Sequence, residues 1–138
     1  MCAMPIKENV KYQKEQLVNF VNKVWGHEEW IVNNEKYCGK KLCVTKGCRC
    51  SMHYHKVKDE TFYFLSGKML LETEFEGKKT NKIVNAGDIV HIKIGMLHRF
   101  TALEDSEIIE FSTFHMDSDS YRTQPSGKVD LSTLDLPL

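Results

Sequence analysis

The sequence of 138 residues has no long apolar run and no excess of one charge. No apolar stretch approaches the ~20 residues that a helix needs to cross a bilayer. The N-terminus lacks the charged-then-apolar order of a secretory signal. Nineteen Lys and Arg residues balance nineteen Asp and Glu residues, so no overall field attracts nucleic acid or an anionic membrane. We therefore expect a cytoplasmic protein that binds neither nucleic acid nor membranes.

The cysteines do not form a pattern typical of disulfides or of a zinc knot. The number of cysteines is odd, and a single domain of this length buries enough apolar surface to be stable without disulfides. Cys48 and Cys50 are closely spaced, but no second pair at zinc-ligand spacing accompanies them. We expect reduced thiols, and we favour packing over redox or metal chemistry for this pair. The five cysteines are Cys2, Cys38, Cys43, Cys48 and Cys50.

The chain is predicted to form one domain over residues 1–138, with a helix, a β-rich core and a polar arm. Apolar residues at helical spacing predict an amphipathic helix over residues 7 to 24. Short β-prone segments separated by turns predict a core of strands over about residues 28–116. The last segment, about residues 117–138, has few large apolar residues and reads as an arm. The apolar helix positions are Leu17, Phe20, Val21 and Val24.

Three histidines and a glutamate are the most informative feature of the chain. Side chains alternate along a strand, so His53 and His55 project from one face. A hairpin that begins a second β-prone run at Glu60 brings this carboxylate back beside them. His98 follows a further strand and turn and completes the set. Three imidazoles and one carboxylate suit iron(II), manganese, nickel or zinc better than calcium or magnesium.

These residues resemble the two motifs of the cupin superfamily. The first motif is a glycine, five residues, His-x-His, three or four residues, a glutamate, six residues and a glycine. Every element matches, at Gly47, His53, His55, Glu60 and Gly67. The resemblance implies an all-β jelly-roll barrel, a double-stranded β-helix, here with a short N-terminal helix. It also implies a divalent transition metal held by the two histidines, the glutamate and one histidine of the second motif.

The second cupin motif is present with two departures. The sequence keeps Gly87, Gly95 and His98, but Lys93 replaces the usual proline and Ala102 the usual asparagine. Neither departure removes a metal ligand. The resemblance covers roughly residues 40 to 115 and is specific for fold and metal site, but much less specific for the reaction.

A shorter resemblance points to sugar chemistry. The segment from Trp25 to Val32, which reads WGHEEWIV, is similar to the entry of cupin phosphomannose isomerases and related sugar-modifying cupins. It implies a metal-dependent isomerase that moves a proton between the carbons of a small sugar or sugar phosphate. Glu29, Lys41 and Tyr63 are candidates for the general base. The alternatives are an iron(II)-dependent cupin dioxygenase and a non-catalytic sugar-binding module.

Two further expectations concern assembly and the other histidines. The apolar stripe of the helix and the exposed edges expected of a small barrel favour a homodimer. His91 has the parity opposite to Val90 and Ile92, so we expect it to point outward. His27 could reach the barrel mouth, and His115 could face either side of the sheet.

Overall fold

The computed structural model describes residues 16–137. Within this range the chain forms thirteen strands and two short 3₁₀ helices, at Asp117–Asp119 and Leu131–Thr133. No helix in this range is long and apolar enough to span a membrane. The strands are β1 (Asn19–Lys23), β2 (Gly26–Asn33), β3 (Cys38–Val44), β4 (Cys48–Arg49), β5 (Met52–Tyr54), β6 (Glu60–Ser66), β7 (Lys68–Phe75), β8 (Lys78–Asn85), β9 (Ile89–Ile92), β10 (Leu97–Ala102), β11 (Ser106–Ser112), β12 (Tyr121–Gln124) and β13 (Gly127–Lys128).

The strands form two antiparallel sheets, as the predicted jelly roll requires. The first sheet has the order β1-β2-β3-β11-β6-β9. The second has the order β12-β5-β10-β4-β13, and β7 joins it by pairing with both β10 and β8. Neighbours in these sheets are mostly distant in sequence, so the fold depends on long-range pairing.

The core lies between the two sheets and is built by alternating side chains. Along β3 and β6, every second residue is buried, because successive side chains of a strand point to opposite faces. Leu42, Phe62 and Ile108 contribute to this core from the first sheet, while Leu71 and Phe100 contribute from the second.

Glycines mark the turns between consecutive strands. Gly67, Gly77, Gly87 and Gly95 each separate two strands and have positive φ angles, where a side chain is strained. Gly67 has a second constraint, because a Cβ built there would lie 2.2 Å from the Ser106 hydroxyl. These four glycines form turns that separate the β-prone segments of the sequence.

The predicted helix over residues 7 to 24 is wrong for the part that the structure describes, because that part contains a strand. Asn19–Lys23 form β1, which pairs with β2 in continuous register, and residues 7–15 lie outside the described residues. Leu17, Phe20 and Val24 are exposed. A helical face must be buried to be stable, whereas the β1–β2 hairpin satisfies the backbone hydrogen bonds of this segment through its neighbour.

The segment after β11 runs along the second sheet. β12 pairs with β5, and β13 pairs with β4. The predicted arm therefore contributes two short strands, and its first 3₁₀ helix lies beside the loop that joins β5 to β6.

Candidate metal centre

The structure brings the four predicted metal ligands together between the two sheets. His53 on β5 and His98 on β10 are directly opposite each other in the second sheet. His55 follows β5, and Glu60 begins β6 of the first sheet. His55, Glu60 and His98 are at most 4% exposed. Candidate ligand atoms of the three histidines lie within 4.8 Å of one another.

Backbone carbonyls fix the tautomer of all three histidines. The Nδ1–H groups of His53, His55 and His98 donate to the carbonyl oxygens of Ser51 (2.8 Å), Asp119 (2.9 Å) and Met96 (3.0 Å), respectively. Because a carbonyl oxygen only accepts, the proton of each neutral ring is on Nδ1 and the Nε2 lone pair is free. An Nδ1–H bonded to a carbonyl is the usual arrangement of a metal-bound histidine.

Glu60 places one carboxylate oxygen among these nitrogens. Its Oε2 lies 3.4 Å from His55 Nε2 and 3.4 Å from His98 Nε2. Among the described residues, Glu60 Oε2 and His55 Nε2 are buried without a hydrogen-bond partner. Ligands about 2.1 Å from a zinc ion at the tetrahedral angle are separated by about 3.4 Å. The donor set and its spacing therefore fit a divalent transition metal.

Burial and charge keep these groups in the forms that ligate metals. Burial and the neighbouring His98 lower the pKa of His53 to about 3, and burial also lowers the pKa of His98. Burial alone would raise the pKa of Glu60, but His55 and Lys58 outweigh it and hold this pKa well below its usual range. At neutral pH, His53 and His98 are uncharged and Glu60 is a carboxylate.

Aromatic rings form the apolar side of the cavity. Phe62 and Phe100 line it and pack against each other, with ring centroids 4.9 Å apart. The Phe62 ring also lies 6.3 Å from the ring of His98. Phe64 packs behind Phe100 as part of the core. Glu60, Phe62 and Phe64 share the buried face of β6.

Next to these rings, the cavity has a buried polar wall that sequence reasoning missed, and its Glu110 pairs directly with Phe62 in the β6–β11 register. Lys40 is 1% exposed, and its Nζ lies 3.6 Å from Glu28 and 4.0 Å from the centre of the Trp30 ring. Glu110 lies opposite Lys40 in the β3–β11 register and also lines the cavity. Lys40 lies two positions before the apolar Leu42 on the same strand, so the two side chains share one face. This spacing was the signal in the sequence that could have identified Lys40 as an inward-facing residue. Lys58 and His115 complete the wall.

The predicted general-base candidates lie on the other face of the first sheet. Glu29 is opposite Lys41, and Lys41 and Tyr63 both pair with Ile109. All three have the parity opposite to the cavity residues, and Lys41 forms outer ion pairs with Glu29 (3.4 Å) and Glu107 (3.2 Å). The structure does not bring Glu29, Lys41 or Tyr63 to the cavity.

The remaining histidines occupy three different environments. His91 is exposed and pairs with Asp59 at 2.7 Å, so its predicted outward orientation is confirmed. His27 lies on the outer face beside Glu29 and Cys43, rather than at the barrel mouth. His115 faces the cavity.

The described cysteines are free thiols, and packing explains the pair in the first motif. Cys48 belongs to the core, and Cys50 packs against it. Sequence parity places Cys50 on the face opposite to His53, but both residues line the cavity. The cause is an interruption between β4 and β5 at Cys50 and Ser51, which shifts the alternation by one residue.

Solved structures with the same fold are distant in sequence. Oxalate decarboxylase from Bacillus subtilis superposes with a TM-score of 0.72 at 17% identity, over 84% of this chain and 34% of that one. The capsular polysaccharide assembling protein CapF from Staphylococcus aureus superposes with a TM-score of 0.67 at 17% identity, over 77% of this chain and 34% of that one. At this identity the likeness establishes the fold alone.

The chain therefore corresponds to about a third of the length of these two proteins. No curated protein matches the sequence at a significant level. The sequence model of the cupin domain matches residues 41–114, which is more than half of the chain and contains all four residues of the candidate metal centre. With both sheets of the barrel in place, this match shows that the chain belongs to the cupin family.

Proposed function

We propose that the protein is a metal-dependent enzyme that isomerises a small sugar or sugar phosphate by proton transfer between adjacent carbons. The observation that supports the metal centre is the grouping of three histidines, each with its Nδ1–H bound to a carbonyl, and the unpartnered Glu60 Oε2 that lies 3.4 Å from Nε2 of both His55 and His98. The similarity of the segment from Trp25 to Val32 to sugar-modifying cupins supports the choice of substrate.

His53, His55, Glu60 and His98 would hold one ion of iron, manganese, nickel or zinc. One of the similar structures concerns the Mn(II) centres of Bacillus subtilis oxalate decarboxylase, which supports this class of metal. When bound, a divalent ion supplies Lewis-acid polarisation of the carbonyl and hydroxyl oxygens of a substrate.

The proton transfer is assigned to the polar wall. We propose that Glu28 takes the proton from the carbon next to the carbonyl and returns it to the neighbouring carbon. Its Oε1 accepts a hydrogen bond from Trp30 Nε1 at 2.9 Å and lies 3.6 Å from the Lys40 ammonium. These partners orient the carboxylate, and Lys40 can donate to a substrate hydroxyl. The aromatic side of the cavity excludes water and strengthens these interactions.

Adjacent glutamates provide a matched test of this assignment. Glu28 lines the cavity, whereas Glu29 lies on the outer face with Lys41. We expect Glu28→Gln to lower kcat by ~10²–10⁴-fold, the usual contribution of a general base. Glu29→Gln should stay within threefold of the parent. Equal effects of the two substitutions would exclude Glu28 as the base.

The cavity mouth carries cationic side chains that favour an anionic substrate. Lys23 and Arg122 line the cavity at its exposed end, together with one carboxylate, Asp117. Phosphate and carboxylate groups of a substrate can pair with such side chains. We therefore expect sugar phosphates to be better substrates than the corresponding neutral sugars.

The direct test is an NMR screen of aldoses, ketoses and their phosphates, using protein purified without added metal and analysed for its elements. Exchange of the C2 proton with solvent and interconversion without oxygen would support the isomerase. Turnover only with iron(II) and dioxygen would instead identify a dioxygenase. Saturable binding without turnover under any condition would identify a binding module.

We also propose that the protein acts as a homodimer. The sequence argument for a dimer used the apolar face of a predicted helix, but residues 19–23 form a strand, so the proposal now depends on the edge of the sheet. β1 is the edge of the first sheet, and exposed edges are usually covered. Val18, Phe20 and Val24 near this edge are all more than half exposed. Light scattering at tens of micromolar should give twice the chain mass, and the monomer mass would overturn this proposal.

A further inference from the structure

Lys58 occupies a buried position next to the metal centre. Its side chain is 3% exposed, and its ammonium lies 2.8 Å from Glu60 Oε1, 3.1 Å from Glu110 Oε2 and 2.9 Å from His115 Nδ1. A buried ammonium destabilises the folded state unless it is paired with an opposite charge and fully hydrogen-bonded. These three acceptors match the three N–H donors of the group.

The two oxygens of Glu60 have separate partners. Oε1 accepts from Lys58, while Oε2 points to Nε2 of His55 and His98 at 3.4 Å each. A carboxylate that is free to rotate presents either oxygen, or both, to an ion. An ammonium bound to Oε1 leaves Oε2 alone to face the histidines.

We infer that Lys58 is a positioning residue that holds Glu60 with a single oxygen directed at the metal. The inference rests on the proposed metal centre and concerns how one of its ligands is oriented. Lys58 does not contact the ion or the substrate in this arrangement. It acts through Glu60.

Lys58 is itself held from three directions. Glu110 is fixed because its Oε2 also accepts from the Ser112 hydroxyl at 2.9 Å. His115 is fixed because its Nε2 lies 2.9 Å from Asp117. The backbone N–H of Lys58 donates to the Asp119 carboxylate at 2.9 Å. The ammonium therefore has little freedom to follow Glu60, and Glu60 must adapt to it.

The chain offers a matched control for Lys58. Lys40 is a second buried lysine of the same cavity, and it pairs with Glu28 rather than with Glu60. Four variants should be compared with the parent protein: Lys58→Met, Lys58→Arg, Lys40→Met and the double variant Lys58→Met with Glu110→Gln. The measurements are the affinity for cobalt(II), the visible spectrum of the bound cobalt, which reports its coordination, and thermal stability without metal.

We expect Lys58→Met to weaken cobalt binding about 10–100-fold, the usual effect of losing a partner of a metal ligand, and to change the cobalt spectrum. Lys58→Arg should restore much of both, and Lys40→Met should leave both near the parent. The double variant should recover stability, because Glu110 no longer repels Glu60, but not the affinity or the spectrum.

Two results would overturn the inference. The first is parental cobalt affinity and spectrum in Lys58→Met. The second is full recovery of both in the double variant, which would mean that Lys58 only balances charge. If Lys58→Met does not fold, the double variant decides the question. Failure of the metal centre itself gives a different result, because the parent protein would then bind no cobalt, or His98→Ala would bind it as tightly as the parent.

Discussion

Asp119 holds His55 from two sides although 64 positions separate them in the sequence. Its backbone carbonyl accepts the Nδ1–H of His55 at 2.9 Å. Its carboxylate accepts the backbone N–H groups of Lys56, Val57 and Lys58, which form the loop that follows His55. Those hydrogen bonds also lower the pKa of Asp119 despite the opposing effect of burial. One residue of the C-terminal segment thus orients both a proposed metal ligand and the loop that carries Lys58.

The first prediction is that Asp119→Asn weakens metal binding by about tenfold, a typical effect of losing a group that orients metal ligands. The amide keeps the shape of the side chain but provides only one acceptor oxygen for the three N–H groups. Asp135→Asn is the control, because Asp135 is an exposed residue of the same C-terminal segment. Isothermal titration with zinc or manganese measures the difference. Similar affinities in the two variants would contradict a role of the Asp119 carboxylate at the metal centre.

The second prediction separates ligands from other histidines. His55→Gln and His98→Ala should each abolish or strongly reduce the metal content of the purified protein, since each removes one converging ligand atom. His91→Gln should leave metal content and turnover within about threefold, because a surface substitution changes free energies by no more than ~0.5 kcal/mol. Elemental analysis measures occupancy, and circular dichroism verifies the fold. Full occupancy in a folded His98→Ala protein would refute the four-ligand assignment.

The third prediction is that the metal-free protein loses stability on mild acidification. Histidine has an ordinary pKa of 6.5, whereas folding lowers the pKa of His53 to about 3. Between these values the unfolded chain binds more protons, so stability rises with pH and is lost as the pH falls. The slope from one such group is at most about 1.4 kcal/mol per pH unit.

Urea unfolding at pH 7, 6, 5 and 4 in the presence of a chelator measures this dependence. His53→Gln should show a shallower loss across the window, while His91→Gln should follow the parent. An identical slope in the His53→Gln protein would mean that this ring is not held neutral in the folded state.

The fourth prediction uses two glycines that share a backbone conformation but not their surroundings. Gly67→Ala and Gly77→Ala both place a side chain at positive φ, at about 1–2 kcal/mol each. A Cβ at Gly67 also meets the Ser106 hydroxyl at 2.2 Å and the Asp105 carbonyl at 2.4 Å, whereas nothing lies within 4 Å at Gly77. The overlap should destabilise Gly67→Ala by a further 1–3 kcal/mol or so. Equal urea midpoints for the two variants would contradict this difference.

Local signals in the sequence predicted the fold and the core of the candidate site. Glycine turns are encoded locally, because only a few residue types adopt positive φ without strain. Strand parity placed His91 on the correct face, because β9 is regular. The cupin motifs joined His53 to His98, a contact that no short window of sequence contains.

The errors came from features that depend on partners elsewhere in the chain. The apolar spacing of Leu17 to Val24 is as regular as that of a helix, but pairing with β2 decided the structure. Glu29 and Lys41 were predicted as candidates for the general base, but they point outward. Their sequence neighbours Glu28 and Lys40 face the cavity, because the register of β2 and β3 turns these positions inward. Asp119 carries no local signal, because its role arises only when the C-terminal segment packs beside the loop after β5.

The contact between Asp119 and His55 also has a consequence for biosynthesis. A ribosome makes the chain from its N-terminus, so all four proposed metal ligands leave the exit tunnel before Asp119 does. Until then the loop after β5 lacks the carboxylate that binds its N–H groups and the carbonyl that sets the His55 tautomer. We expect a nascent chain to hold metal weakly even when the strands up to β11 have paired, and to acquire its ion only once the C-terminal segment has packed beside the loop.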